Sequence, residues 1–134
     1  MNAADTNVVV RLITKDDPDQ TPHAEELFRT DHVFIPKTVL LESEWVLRRG
    51  YHMDRKIVLD SLERLLGLPN VYVEQPFTVY RAMRWANAGM DFADALHLSS
   101  SSEQARRNSR YSGVLRRMDS HTAQYAIAIA PYTG

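Results

Sequence analysis

The strongest constraint on the fold is an alternation. Short β-rich runs stand at Asn2–Asp5, in "HVFIP" and in "NVYVEQP", and segments whose apolar residues repeat at helical spacing separate them. Strand, helix and strand in this order predict an α/β domain with a mostly parallel sheet. The helical segments carry their own punctuation. "TPHAEELFRT" offers Thr21 as cap and Pro22 at the first helical position. Thr38 is placed to cap a helix running through "VLLESEWVLRR" to Gly50, and Asp54 a helix that stops at Gly67. Phe77 to Ala88 and Phe92 to about Ala105 predict two more helices, the first closed by Gly89. Val8 to Ile13 fits strand or helix, because six residues are too few for periodicity to decide. Beyond Ala105 the pattern fails until "AQYAIAIA", whose alternation fits a final strand.

The chain of 134 residues is the size of one domain, able to bury roughly two-thirds of its unfolded surface. With 44% apolar and 25% charged residues it is not a disordered chain. The absence of cysteine excludes disulfides, thiolate zinc sites and a cysteine nucleophile. No long apolar span and no leader pattern is present, which leads to the expectation of a cytoplasmic protein with no membrane association. A formal charge of −1 gives no global field for nucleic acid, and the one basic block, Arg106 to Arg117, reads first as a solvated face.

Three acidic segments carry possible chemistry. Asp5 stands where the first short strand gives way to the next element, the position at which parallel α/β sheets bind ligands, and also the position of an ordinary helix cap. In "VLLESEWVLR", Glu42 and Glu44 each have three apolar neighbours and one polar neighbour at helical spacing, so at least one needs a cation or hydrogen-bond partner; periodicity does not choose between them. In "GMDFADALHL", Asp91 and Asp94 share the first turn of a helix, with His97 one turn later. Taken singly, each acid is explained as a cap or a solvated side chain. Carboxylates meeting at strand exits require a cation among them, and hard oxygen donors without cysteine select Mg²⁺ or Mn²⁺. Such sites commonly act on phosphates.

In this order and at these separations, "AADTNVVVRLIT", "IPKTVLLESEWVLRRGY" and "GMDFADALHLSS" resemble the motifs of the PIN-domain family, and more narrowly of VapC-type toxins of bacterial toxin–antitoxin pairs. The likeness covers about residues 1 to 105 of a single domain. It implies a three-layer α/β/α sandwich with a short, mostly parallel sheet. It also implies a Mg²⁺- or Mn²⁺-dependent endoribonuclease, usually a homodimer, held inactive by a small VapB-type antitoxin. Carried over by motif, Asp5, Glu42 and Asp94 are the metal ligands, Asp91 an accessory acid, and Thr6 and Asn7 hydrogen-bonding residues that orient the first acid. The resemblance thus selects Glu42 over Glu44. Arg11, Arg48 and Arg49 are the basic side chains expected near the RNA.

The C-terminal part departs from that pattern. Family members carry a fourth acid about 18 residues past the third, and residue 112 here is a serine; Asp119 lacks the surrounding motif. Residues 106–134 are therefore expected to be an atypical, altered or poorly ordered tail, of the kind a reading-frame shift produces. The corresponding alternative is a catalytically impaired PIN domain that survives as an antitoxin- or RNA-binding module.

Overall fold

The computed structural model describes residues 1–107, with side chains through Ser102. The expected strand in "AQYAIAIA", Ser112, Asp119 and the side chains of the basic block lie outside the described residues. Residues up to Pro76 form one compact unit, and those from Phe77 onward belong to a second.

The first unit contains the sheet. Strands β1 (Asn2–Ala3), β2 (Val33–Ile35) and β3 (Val71–Val73) run parallel in the order β1-β2-β3, with Asn2 opposite Val33 and Phe34 opposite Tyr72. The mixed α/β class and parallel sheet expected from the alternation are both present. Because the strands are parallel, their carboxyl ends share one edge, and Asp5, Lys37 and Glu74 follow at that edge.

The ambiguous Val8–Ile13 is helical, within α1 (Thr6–Thr14). Asp5 settles the choice locally: its backbone is extended, and its Oδ1 accepts the Val8 N–H at 2.9 Å, so a strand ends and a helix starts at one residue. Val9 and Val10 then face inward and are buried. Helix α1 closes on Lys15, whose left-handed backbone returns its N–H to the Arg11 carbonyl.

Three caps differ from expectation. In α2 (Thr21–Thr30), Thr21 lies inside the helix with its buried hydroxyl unpartnered; Gln20 holds the cap position without a side-chain bond, and Asp17 Oδ1 takes the N–H groups of Asp19 and Gln20 in the turn that leads into the helix. Helix α3 (Lys37–Trp45) begins after Pro36, not at Thr38, and its first N–H, from Lys37, is satisfied by Glu74 Oε1 at 3.0 Å from beyond β3. A neighbouring strand supplies the cap that local sequence does not.

Helix α3 continues into a π-helical turn, Val46–Gly50, where the Tyr51 N–H reaches the Val46 carbonyl. The widened turn keeps Leu47 buried and leaves Arg49 exposed. Helix α4 (Arg55–Leu66) follows Asp54, which stands at the expected cap position but gives the helix no side-chain hydrogen bond, and ends at Gly67, burying Val58, Leu59, Leu62, Leu65 and Leu66 along one stripe. Each such side chain contributes about 1.5–3 kcal/mol. Asn70 Nδ2 donates to the carbonyls of Phe28 and Asp31, fixing the end of α2 to the approach to β3.

The second unit consists, among the described residues, of α5 (Pro76–Asn87) and α6 (Phe92–Arg107). Between them Gly89 has φ of 119°, a region that side chains oppose, so the expected glycine stop is required by the backbone. The serine run after Leu98 has a packing role: Ser99 is fully buried, donates to the Thr78 carbonyl, and receives the Arg81 guanidinium on both its hydroxyl and its carbonyl. Arg81 also lies over the Trp85 ring.

Candidate active site

Asp5 and Glu42 come from different elements and are tied through Thr6. The Thr6 hydroxyl, at the first position of α1, donates to Glu42 Oε2 at 2.7 Å across 36 residues of sequence. Thr6 therefore reaches the second acid, whereas the sequence reading assigned it to the first. Asp5 takes its own hydrogen bond from the Val8 backbone. Asn7 is exposed on the same turn. Asp5 and Glu42 are both exposed, and each directs only one carboxylate oxygen to a protein partner among the described residues.

The structure separates Glu42 from Glu44. Glu44 is buried, 2% exposed, and its Oε1 takes the Arg48 Nε–H at 2.7 Å one turn later. The requirement for a partner on this helix is thus met twice, by a cation for the buried acid and a hydroxyl for the exposed one. Glu44 and Arg48 neutralise each other, and Glu42 is the acid left facing solvent.

At the start of α6, Asp91 occupies the capping position: its Oδ2 accepts the Asp94 N–H at 3.1 Å, and its carbonyl accepts from Ala95. Asp94 is exposed in the first turn, and His97 is exposed one turn on. Both acids thus sit where the helix dipole favours negative charge.

Among the described residues no three acidic or histidine side chains gather closely enough to form a ready metal cluster. The donor chemistry nevertheless fits a hard divalent cation. Magnesium commonly binds through one or two carboxylates, completing its shell with water and substrate phosphate, and Asp5 and Glu42 offer that kind of oxygen at the carboxyl edge of the sheet. Sequence reasoning missed Glu74 there, a strand-exit acid like Asp5 that serves instead as the cap of α3. No signal in "VEQP" distinguishes the two uses.

A cleft of about 330 Å³ opens beside Asp5, between α1 and α2. Arg11 on its wall is held by three partners, donating from Nε to Gln20 Oε1 and from one terminal nitrogen to Asp16 and to the Tyr51 hydroxyl. The Asp16 bond first, and the Tyr51 contact after it, raise the guanidinium pKa. The Asp16 carboxyl is held below its ordinary value by the Thr14 hydroxyl first, then by Tyr51 and Arg11, while backbone N–H groups of Gln20 and Asp19 lower Asp17.

The parallel α/β unit carries acids at its strand exits, and α6 opens on paired aspartates, carboxylate oxygens of the kind that hard cations take. The sequence profile of the PIN domain matches residues 3–108, through all three acidic segments and into both compact units, and the chain belongs to the PIN-domain family. PIN domains are generally metal-dependent nucleases, and RNA is their general ligand. A search of curated proteins finds no match to this chain. Among the described residues no helix is long and apolar enough to cross a membrane.

Proposed function

We propose that the chain is a VapC-type toxin, a Mg²⁺- or Mn²⁺-dependent endoribonuclease that acts in the cytoplasm as a homodimer and is neutralised by a VapB-type antitoxin. The acids that match the family motifs, Asp5, Glu42 and Asp94, are its metal ligands, with Asp91 as the accessory acid that holds the first turn of α6. The observation that carries this reading is the Thr6–Glu42 hydrogen bond, which joins the first and second acidic motifs at the sheet edge where parallel α/β proteins bind ligands.

A bound divalent ion supplies activated water and charge stabilisation for in-line attack on a phosphodiester. The chain's own residues set up that chemistry. Asp5 is aimed by its cap bond to Val8, Glu42 by the Thr6 hydroxyl, and Asp94 by the helix turn that Asp91 caps. Glu44 stays out of the reaction because Arg48 already compensates its charge. An antitoxin that brings an arginine to these acids inhibits by replacing the cation's charge.

The test is cleavage of RNA by the pure protein with Mg²⁺ or Mn²⁺, compared with Asp5→Asn. Asparagine keeps the helix cap and removes the ligand charge, so the variant folds and does not cut. Equal cleavage by wild type and Asp5→Asn refutes catalysis at this site. A second reading, a binding module without catalysis, is favoured by Ser112 in place of the fourth acid; it requires metal-independent binding of RNA or antitoxin with no Asp5-dependent cleavage.

A further inference from the structure

The cleft that starts at Asp5 extends away from it between α1 and α2, and the walls beyond the acid have a definite character. Val8, Ala24 and Leu27 give it apolar surface, and Gln20 and His23 stand around it with Asn7. At about 330 Å³ it lies near the lower limit of ligand-sized sites, which run from about 300 to 1,000 Å³. That is space for one nucleoside and not for a helical segment of nucleic acid.

Charge decides between a phosphate and a base. Arg11 on the wall is bonded by Asp16 at 2.9 Å while Asp5 lines the same cleft, so its positive charge is already compensated and does not wait for a phosphate. Gln20 accepts from Arg11 through Oε1, which leaves its amide N–H pair without a protein partner among the described residues. His23 and Asn7 are exposed and add further hydrogen-bonding groups. Hydrogen-bonding side chains around an apolar cleft suit the edge of an unstacked base, the usual target of sequence-specific RNA recognition.

We infer that this cleft is a nucleobase subsite, in which Gln20 and His23 read the edge of one RNA base next to the phosphate cleaved at Asp5. This rests on the ribonuclease reading for its neighbouring phosphate, but base binding is measurable without turnover. Gln20 is a specificity-determining residue in this arrangement. Gln20→Glu keeps the acceptor for Arg11 and replaces the donor by an acceptor, so it changes which base is preferred without emptying the cleft.

The experiment titrates the four nucleoside 5′-monophosphates, with ribose 5-phosphate as control, into the metal-free full chain and follows backbone amide resonances. One nucleotide is expected to shift the amides of Val8, Gln20, Ala24 and Leu27, with the base-free control leaving them in place. Gln20→Leu and His23→Ala should each weaken that nucleotide about tenfold, and Gln20→Glu should shift the preference to another base. If ribose 5-phosphate produces the same shifts, or no nucleotide perturbs the cleft, the subsite is refuted. In RNA cleavage, Gln20→Leu should raise KM at the preferred base more than it lowers kcat, the signature of lost binding rather than lost chemistry. Asp5-dependent cleavage whose base preference is untouched by Gln20→Leu, Gln20→Glu and His23→Ala removes the subsite and leaves the nuclease. Base-selective binding without cleavage does the reverse.

Discussion

Replacing Glu44 by alanine should unfold the protein far more readily than replacing Glu42, although the two acids stand two residues apart on one helix. Glu44 has a side chain only 3% exposed and meets Arg48 at 2.7 Å, while the Arg48 side chain is 25% exposed. Removing one member of a fully buried ion pair costs about 3–5 kcal/mol because the other charge is stranded away from water. Water reaches a quarter of Arg48, so the expected loss lies below that range, about 2–3 kcal/mol once the discount for exposure is applied. For a chain of this length that corresponds to a fall in Tm of roughly 10 °C. Glu42 is exposed and receives a single hydroxyl bond. Glu42→Ala should therefore change stability by no more than about 1 kcal/mol. Thermal unfolding followed by circular dichroism measures both, and RNA cleavage on the same samples should show the opposite ranking. The double change Glu44→Leu with Arg48→Met, which removes both charges, should recover at least half of the loss. A Tm for Glu44→Ala within 2 °C of wild type, or an equal fall for Glu42→Ala, would refute the assignment of the buried acid to structure and the exposed one to chemistry; these thresholds follow from the roughly 3–4 °C per kcal/mol expected at this size.

Thr6→Val should leave Tm nearly unchanged yet lower Mn²⁺ affinity about 10- to 100-fold, the usual effect of losing a group that orients a metal ligand, as read by calorimetric titration. Asp16 has a depressed pKa, so its contribution to stability is present above the ordinary value of 3.8 and is lost as pH falls through the lower folded value. Plots of Tm against pH for wild type and Asp16→Asn should accordingly differ at neutral pH and converge in acid; parallel curves down to pH ~2 would contradict the Thr14, Tyr51 and Arg11 contacts as its cause. Asn70→Ala, which frees the carbonyls of Phe28 and Asp31, should cost about 1–2 kcal/mol in denaturant unfolding without altering cleavage.

What the chain order discloses about this molecule is whatever depends on near neighbours. The helix stops at Gly67 and Gly89, the apolar stripe of α4 and the strand positions all follow from residues within a turn or two of each other. Thr38 looked like a cap because nothing nearby competes, yet the acceptor for α3 arrives from Glu74, 37 residues away. The split between Glu42 and Glu44 is of the same kind. Both acids have equivalent helical neighbours, and only the arrival of Thr6 from α1 and the burial of Glu44 distinguish them. The motif predicts that Thr6 orients the first acid, Asp5, but its hydroxyl goes to Glu42, a partner set by how α1 and α3 meet. The cleft beside Asp5 is hidden from the sequence for the same reason, since it joins residues of α1 with Gln20 at the end of the "DDPDQ" loop and with residues of α2.

The cap bond at Asp5 bears on the order in which the site is assembled. A flexible carboxylate must surrender its rotamer freedom when it takes a ligand, and affinity falls by that loss. Asp5 surrenders it when α1 forms, whether or not any ion is near. The side chain awaits its ligand in one orientation, with the entropy of ordering already absorbed by the folding of the helix. A protein built in this way does not depend on a cation as its nucleus. At the proposed metal site the cation would then arrive late, at a finished surface, and its loss would not undo the fold beneath it.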